Sequence, residues 1–344
     1  HVILNVAPSL MKGGVSIHPA LMKLEGSING HYKQFTTSMV IEVDLKETID
    51  HSAFVQEQIA NLVGNDVFVT KGALYMTADM TVDVDNMSSV QGRGKLQLND
   101  INVKGQGKSL SGLNGSLNVG IDGSALSFSS KDIVMNKVSS GVSLHTIESS
   151  FNGTFDVKKK AYQINVSTID GRVMGGEMSL LPFTLTGPEL TSDIEVQLTN
   201  IGLHQLLALQ SNQDLSGEGK LSGFVQVSIN PMSIEIYDGH FSSENGHIRY
   251  RRNSVADAVS ASRSQQQLAF VYDAMEDFQY TSLETDVILK APDNLFLGIA
   301  LKGSNPNVKQ GQKLNLNLNL EQNIGPLIQA ASIDSALQNN LLKQ

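Results

Sequence analysis

From Lys313 to Leu320 the chain alternates without a break. Leu314, Leu316, Leu318 and Leu320 fall on one parity and Asn315, Asn317 and Asn319 on the other. A β-strand sends successive side chains to opposite faces, so this stretch predicts a strand with one oily face and one wet face. A helix would scatter the leucines around its axis. The same two-residue period recurs, less cleanly, along much of the chain. It is carried by Met39, Ile41, Val43 and Leu45, by Met80, Val82 and Val84, and by Leu117, Val119 and Ile121. Ile194, Val196 and Leu198, then Val225, Val227 and Ile229, then Leu297, Ile299 and Leu301 repeat it. Leu96 and Leu98 are out of phase with Ile101 and Val103, which predicts a bulge across Asn99–Asp100.

Glycine-bearing stretches predict the turns: Gly92–Gly94, Gly112–Gly115, Asp122–Gly123, Asp170–Gly171 and Gly175–Gly176. Asp170–Glu177 and Asp238–His247 repeat an order of turn, short strand and second turn, so a sheet growing one strand at a time is expected. Three-and-four spacing is rarer. Glu47–Val63 is loosely helical, and Ile201–Leu209 holds one or two helical turns. Ser254–Phe278, with Leu268, Val271, Tyr272, Met275 and Phe278 in helical register, predicts the one long helix. From Asn323 onward, with Pro326 in a first turn, an amphipathic helix is expected. The division predicted is a serial strand segment over 1–200, a second strand segment with the longer helix over 201–322, and a terminal helix over 323–344.

Composition supports strands and thins out the chemistry. Aromatics are 6% of the chain and charged residues 17%, with 30 glycines, which suits strands and polar turns better than a helical enzyme core. A net charge of −9 argues against nucleic acid, which needs clustered cations. With no cysteine there is no disulfide, thiolate nucleophile or thiol zinc site. No apolar run approaches the roughly 18 residues that span a bilayer as a helix. The chain opens at His1 without an initiator Met, and an excised soluble fragment is the expectation.

Fragments that imitate active sites fail on their surroundings. Gly105-Gln-Gly-Lys-Ser109 has Asn102 where a phosphate loop needs its first glycine, and no good helix follows. Ser9-Leu-Met-Lys12 lacks the partner motifs of penicillin-binding enzymes. His240 and His247, near Asp238 and Glu244, form the only histidine cluster and read as a solvated turn rather than a metal site. Arg249, Arg251, Arg252 and Arg263 read as a solvated basic loop. No catalytic set, cofactor site or metal site is predicted.

The fold class expected is mostly β: a long curved antiparallel sheet forming an elongated apolar groove, with few helices. Periodicity alone fits a closed sandwich or a β-helix equally well. With few aromatics and few covering helices, an open trough suits lipid, whose acyl chains need cover from water. The candidate lining is Met80, Val82, Val84, Ile194, Val196, Leu198, Val225, Val227, Ile229, Leu297, Ile299, Leu301, Leu314, Leu316, Leu318 and Leu320.

Leu215–Gly223, Ile234–Phe241, Gly246–Tyr250, Leu268–Tyr280, Leu301–Pro306 and the Leu-Asn strand, in that order, resemble the C-terminal region of the YdbH family over about residues 200–325. That family sits in the AsmA-like superfamily beside TamB and YhdP. The resemblance implies a periplasmic protein of Gram-negative bacteria, anchored in the inner membrane by an N-terminal helix. It also implies a β-sheet groove carrying phospholipid toward the outer membrane. It implies a small outer-membrane lipoprotein partner, YnbE-like, that adds strands near the C-terminal end. Lys313, Leu314, Asn315, Leu316, Asn317, Leu318, Asn319 and Leu320 are then the natural receiving edge. The other functions weighed are an assembly protein that pairs with outer-membrane strands and a dicarboxylate-binding module. The second would need convergent inward-facing Arg or Lys, of which the apolar-facing strands offer almost none.

Overall fold

The computed structural model describes residues 2–6, 22–26, 34–44, 67–83, 90–105, 108–140, 142–187, 192–208, 214–230, 233–251, 266–291 and 293–323. Nineteen strands among them belong to one open antiparallel sheet. In chain order these are β1 (Val2–Val6), β2 (Met22–Gly26), β3 (Gln34–Asp44), β4 (Val67–Asp83), β5 (Gln91–Gly105), β6 (Lys108–Asp122) and β7 (Ala125–Ser140). There follow β8 (Val142–Asp156), β9 (Ala161–Val173), β10 (Gly176–Leu180), β11 (Phe183–Thr186), β12 (Ser192–Gly202) and β13 (Leu215–Glu218). The last are β14 (Lys220–Asn230), β15 (Ser233–Ser243), β16 (Gly246–Tyr250), β17 (Phe278–Lys290), β18 (Asn294–Ser304) and β19 (Leu314–Asn323). Two short helices accompany them, α1 (Leu203–Leu207) and α2 (Gln266–Met275). The mostly-β expectation holds.

The chain divides into two compact units. One comprises His1–Asp170, Pro182–Ser192 and Ala330–Gln344, and the other Gly171–Leu181 and Asp193–Gln329. In the first, β3 to β8 form a plain meander in which each strand pairs with the next. The predicted bulge is there: the β5–β6 register slips between Leu98 and Ile101, and Asp100 takes a positive φ of 46°. Neighbouring strands slip at the same level, at Lys71 on β4 and between Ser130 and Ile133 on β7. Bulges bend and twist the strands that carry them. Side chains replace the ladder bonds lost there: the Asp100 amide donates to Asn114, the Gly112 amide to Asn102 at 2.7 Å, and the Ser116 amide to Asp132. Gly115, at φ +146°, is required because Ile133 packs where its Cβ would stand.

Two sequence expectations are corrected. Gly92–Gly94, Gly112–Gly115 and Gly171 lie inside strands β5, β6 and β9, and Gly239 lies inside β15. Glycine here marks bulges and close backbone approach, not chain reversal; a Cβ at Gly94 would stand 3.0 Å from the Thr77 carbonyl. The predicted long helix is described only from Gln266, since 252–265 lie outside the described residues, and it ends at Met275. Phe278 matched the helical spacing but opens β17, opposite Ile248. Serial growth is kept in the second unit: β13 and β14 are two segments of one strand, as are β15 and β16, so the pairings β12–β14, β13–β16, β15–β17, β17–β18 and β18–β19 each join a strand to the next one along the chain. The regions predicted as helical at 47–63 and 323–344 fall outside the described residues, apart from Asn323 at the end of β19.

Candidate functional site

In an antiparallel pair, residues directly opposite share a face, so the registers assign every side chain to one side of the sheet. In the second unit Leu316 stands opposite Leu301, Leu318 opposite Ile299 and Leu320 opposite Leu297. Across β17 the rows continue with Leu283 beside Leu301, Thr285 beside Ile299, Val287 beside Leu297 and Leu289 beside Leu295. Across β15 and β14 they run through Phe241 to Gly223, through Ile236 to Val227, and end with Ile229 opposite Ile234. Leu198 and Val196 of β12 face Met178 and Leu180 of β10. The Gln226 amide reaches the Glu195 carboxylate, so those polar side chains share the other face. Val225, Val227, Ile194 and Val196, one residue to either side, therefore face the apolar way.

This apolar face has a covered end and an uncovered one. At the covered end α1 seats Leu203 over β13; a Cβ on Gly217 would meet Leu203 and Leu207. Helix α2 buries Ala274 completely and stacks Tyr272 on Tyr250, ring centroids 5.4 Å apart. The buried Asn305 side chain donates to the carbonyls of Asp273 and Ala274, satisfying the last turn of α2. Lys309 lies 4.7 Å above the Phe270 ring. On the same face Phe278, Tyr280, Leu221, Leu283, Leu301 and Leu316 are all buried.

Tyr280 is the keystone of that layer. β13 and β14 are one strand interrupted at Gly219, and β15 and β16 one strand interrupted after Ser243. The Tyr280 hydroxyl fills the aligned gaps, 2.9 Å from the Ser243 hydroxyl and donating to the Glu218 carbonyl at 3.3 Å. A Cβ on Gly219, at φ +144°, or on Gly246 would collide with that hydroxyl.

Beyond Leu301 the cover stops. Leu297, Ile299, Leu318, Val225, Val227 and Ile229 keep part of their surface in water, and Ile234 and Leu320 are 59% and 50% exposed. No described residue forms a second layer over them. The first unit shows the same texture on its own: Met80, Gly92, Ile121, Leu126 and Phe155 form one cross-strand row. Met76, Leu96 and Leu117 form another. Every large apolar residue of these rows is part-exposed.

Of the predicted lining residues, Ile194, Leu301 and Leu316 are buried. Met80, Val196, Leu198, Val225, Val227, Ile229, Leu297, Ile299, Leu314 and Leu318 are part-exposed, and Leu320 is exposed. Val82 pairs with Phe35, and Val84 lies outside the described residues. Reasoning by parity missed Leu283, Val287, Leu289 and Leu295. Only the pairing register puts them in these rows. Strand β19, which holds Leu314 to Leu320, pairs with β18 and with no other strand among the described residues.

The imitation sites resolve into structural pairs. His240 lies between Asp286 (2.8 Å) and Glu284 (3.1 Å) on the polar face, and the Asp286 carboxylate raises its pKa above the usual histidine value. His247 binds Asp277 instead, together with Arg249. Burial works against the Asp277 carboxylate, but its bonds to Arg249 and His247 hold its pKa below the ordinary range. Gly105 and Lys108 face each other across the β5–β6 connection. Ser9–Lys12, Arg252 and Arg263 lie outside the described residues.

Residues 47–344, most of the chain, match the model of a family described as YdbH-like, intermembrane phospholipid transport protein YdbH. No curated protein and no solved structure matches the chain. No helix among the described residues is long and apolar enough to cross a membrane.

Proposed function

Since the chain belongs to the YdbH-like family, we propose that its apolar sheet faces shield phospholipid acyl chains from water during intermembrane transport. The observation that carries this reading is the row structure itself: leucine, isoleucine and valine side chains from successive strands stand on one face, part-exposed, with no second layer among the described residues. Soluble proteins seldom leave a large apolar patch without a partner. Burial is worth about 0.8 kcal/mol per methylene, so a two-chain lipid crossing water unaided faces a cost on the order of 20 kcal/mol. A face that solvates the tails while headgroups remain in water removes most of that barrier.

In this reading the chain works in the periplasm of a Gram-negative bacterium, in a protein anchored in the inner membrane. A small outer-membrane lipoprotein, YnbE-like, adds a strand to the free side of β19 at Lys313–Leu320. Strand addition satisfies unpaired backbone groups, which an edge strand otherwise leaves open to unwanted pairing.

Photocrosslinking in cells tests both parts. A photoreactive residue at Leu297, Ile299 or Leu318 is expected to give phospholipid adducts, whereas Asn315 or Asn317, on the opposite parity, is expected to give none. Protein adducts alone at all five positions would instead favour a strand-pairing assembly role, the second reading that the singly paired β19 supports.

A further inference from the structure

Strand β19 is a long and unguarded edge. It contains no proline and no lysine, and its register with β18 runs without a slip from one end to the other. No other strand among the described residues pairs with its far side. Such an edge takes up a further strand unless a proline, a lysine or a bulge blocks it. We infer that a second copy of this chain pairs there, β19 to β19 and antiparallel, about a twofold axis through Asn317. The pairing does not depend on the transport reading. A second copy and an incoming lipoprotein strand use the same edge, so each excludes the other.

The strand is complementary to itself. In an antiparallel pair, residues directly opposite share a face. Centred on Asn317, the register sets Leu314 opposite Leu320, Leu316 opposite Leu318, and Asn317 opposite its own counterpart. Lys313 then falls opposite Glu321 at both ends, and both side chains are exposed. The axis stands perpendicular to the sheet, so the leucines of the two copies stay on one face and the asparagines on the other. A twofold contact of this kind closes on itself and stops at a dimer. Leu320, 50% exposed, gains the second copy's Leu314 as a neighbour.

Other registers are worse. A slip of one residue sets leucine against asparagine throughout and turns the two apolar faces to opposite sides. A slip of two keeps leucine against leucine along most of the strand, but sets Lys313 against an asparagine. A parallel pair in matched register puts Lys313 beside Lys313 and Glu321 beside Glu321, and like charges side by side are unfavourable. Exposed ion pairs add little affinity. Here the charges choose the register, while the backbone ladder and the leucine row hold the pair.

The chain contains no cysteine, so single cysteines report the register without background. Asn315, Asn317 and Asn319 are all exposed, and circular dichroism checks that each variant folds. Under mild oxidation Asn317→Cys is expected to give a disulfide-linked dimer, because opposite Cα atoms stand about 4.5–5.5 Å apart, within disulfide reach. Asn315→Cys and Asn319→Cys are expected to stay monomeric when oxidised alone and to join when mixed. Sedimentation equilibrium on the whole chain follows the pair without a cross-link. Glu321→Lys sets lysine against lysine at both ends, Lys313→Glu sets glutamate against glutamate, and each should weaken association about tenfold. Mixing those two variants restores opposite charges at both ends and should restore association to the parent's level. A parent chain that sediments as a monomer at every concentration overturns the inference. So does a mixture that associates no better than either variant alone, or Asn315→Cys cross-linking to itself as readily as Asn317→Cys. None of these outcomes touches the phospholipid adducts expected at Leu297 and Ile299, so the transport reading stands or falls separately.

Discussion

Leu301 and Ile299 lie two residues apart on the same face of the same strand, and they live in different surroundings. Leu301 is 1% exposed, with buried Leu283 and Leu316 on either side and the buried Tyr280 in the adjoining row. Ile299, between Thr285 and Leu318, keeps part of its surface in water. Alternation alone specifies which face is apolar. What lies over that face decides whether it becomes a core or a surface for something else. The second unit does both on one set of strands, and the contrast can be tested step by step.

The largest effect is expected at the break that admits Tyr280. Gly219→Val places a Cβ 1.9 Å from the Tyr280 hydroxyl at a φ of +144°. Strain plus loss of the hydroxyl's two partners should cost about 4 kcal/mol or more, read as a drop in the denaturant midpoint. A shift close to zero would mean that Tyr280 is not the pin of the covered layer.

Matched truncations then compare the two ends directly. Leu301→Ala empties a buried site and should cost about 3 kcal/mol. Leu297→Ala removes the same atoms from a part-exposed site and should cost only about 1 kcal/mol. Equal costs would show that the uncovered rows are packed against another part of the chain, and the lipid reading would lose its support. Asn305→Ala comes next: it strands the carbonyls of Asp273 and Ala274 at the end of α2. A loss of about 2 kcal/mol is expected, without any change at Ile299-type positions.

Much of this is legible in the amino-acid sequence. The strands around Leu316, Ile299, Val227 and Val196 were readable because a two-residue period is a local property. The bulge at Asp100 was readable because a bulge breaks that period where it occurs. Tyr280 gave no signal. Its role depends on Gly219 and Gly246, each about 35 to 60 residues away, so only pairing brings the three together. The glycines misled for the same reason: whether glycine makes a turn or a hole for a neighbour depends on what stands across the ladder. The split between buried and part-exposed leucines was equally hidden, since the alternation of β18 is the same on both sides of Leu301.

The polar face provides the smallest and most conditional test. His240 bonds to Asp286 and sits beside Glu284, and its pKa in the folded protein is raised, with the Asp286 hydrogen bond as the leading cause. The sign follows from linkage: the folded state holds the proton more tightly, so this stabilisation is full below the unfolded value of about 6.5 and is lost as pH rises through the raised folded value. The imidazole and both carboxylates are substantially exposed, so solvent screening limits the effect to about 0.5 kcal/mol. Denaturant midpoints taken at about pH 5.5 and about pH 8.5, either side of the usual histidine value, should differ less in Asp286→Asn than in the parent. Changes of this size on the polar face, beside losses several times larger in the buried rows, would place most of the second unit's stability in its buried apolar end. A pH effect rivalling Leu301→Ala would reverse that ranking and make the charged face a structural partner in its own right.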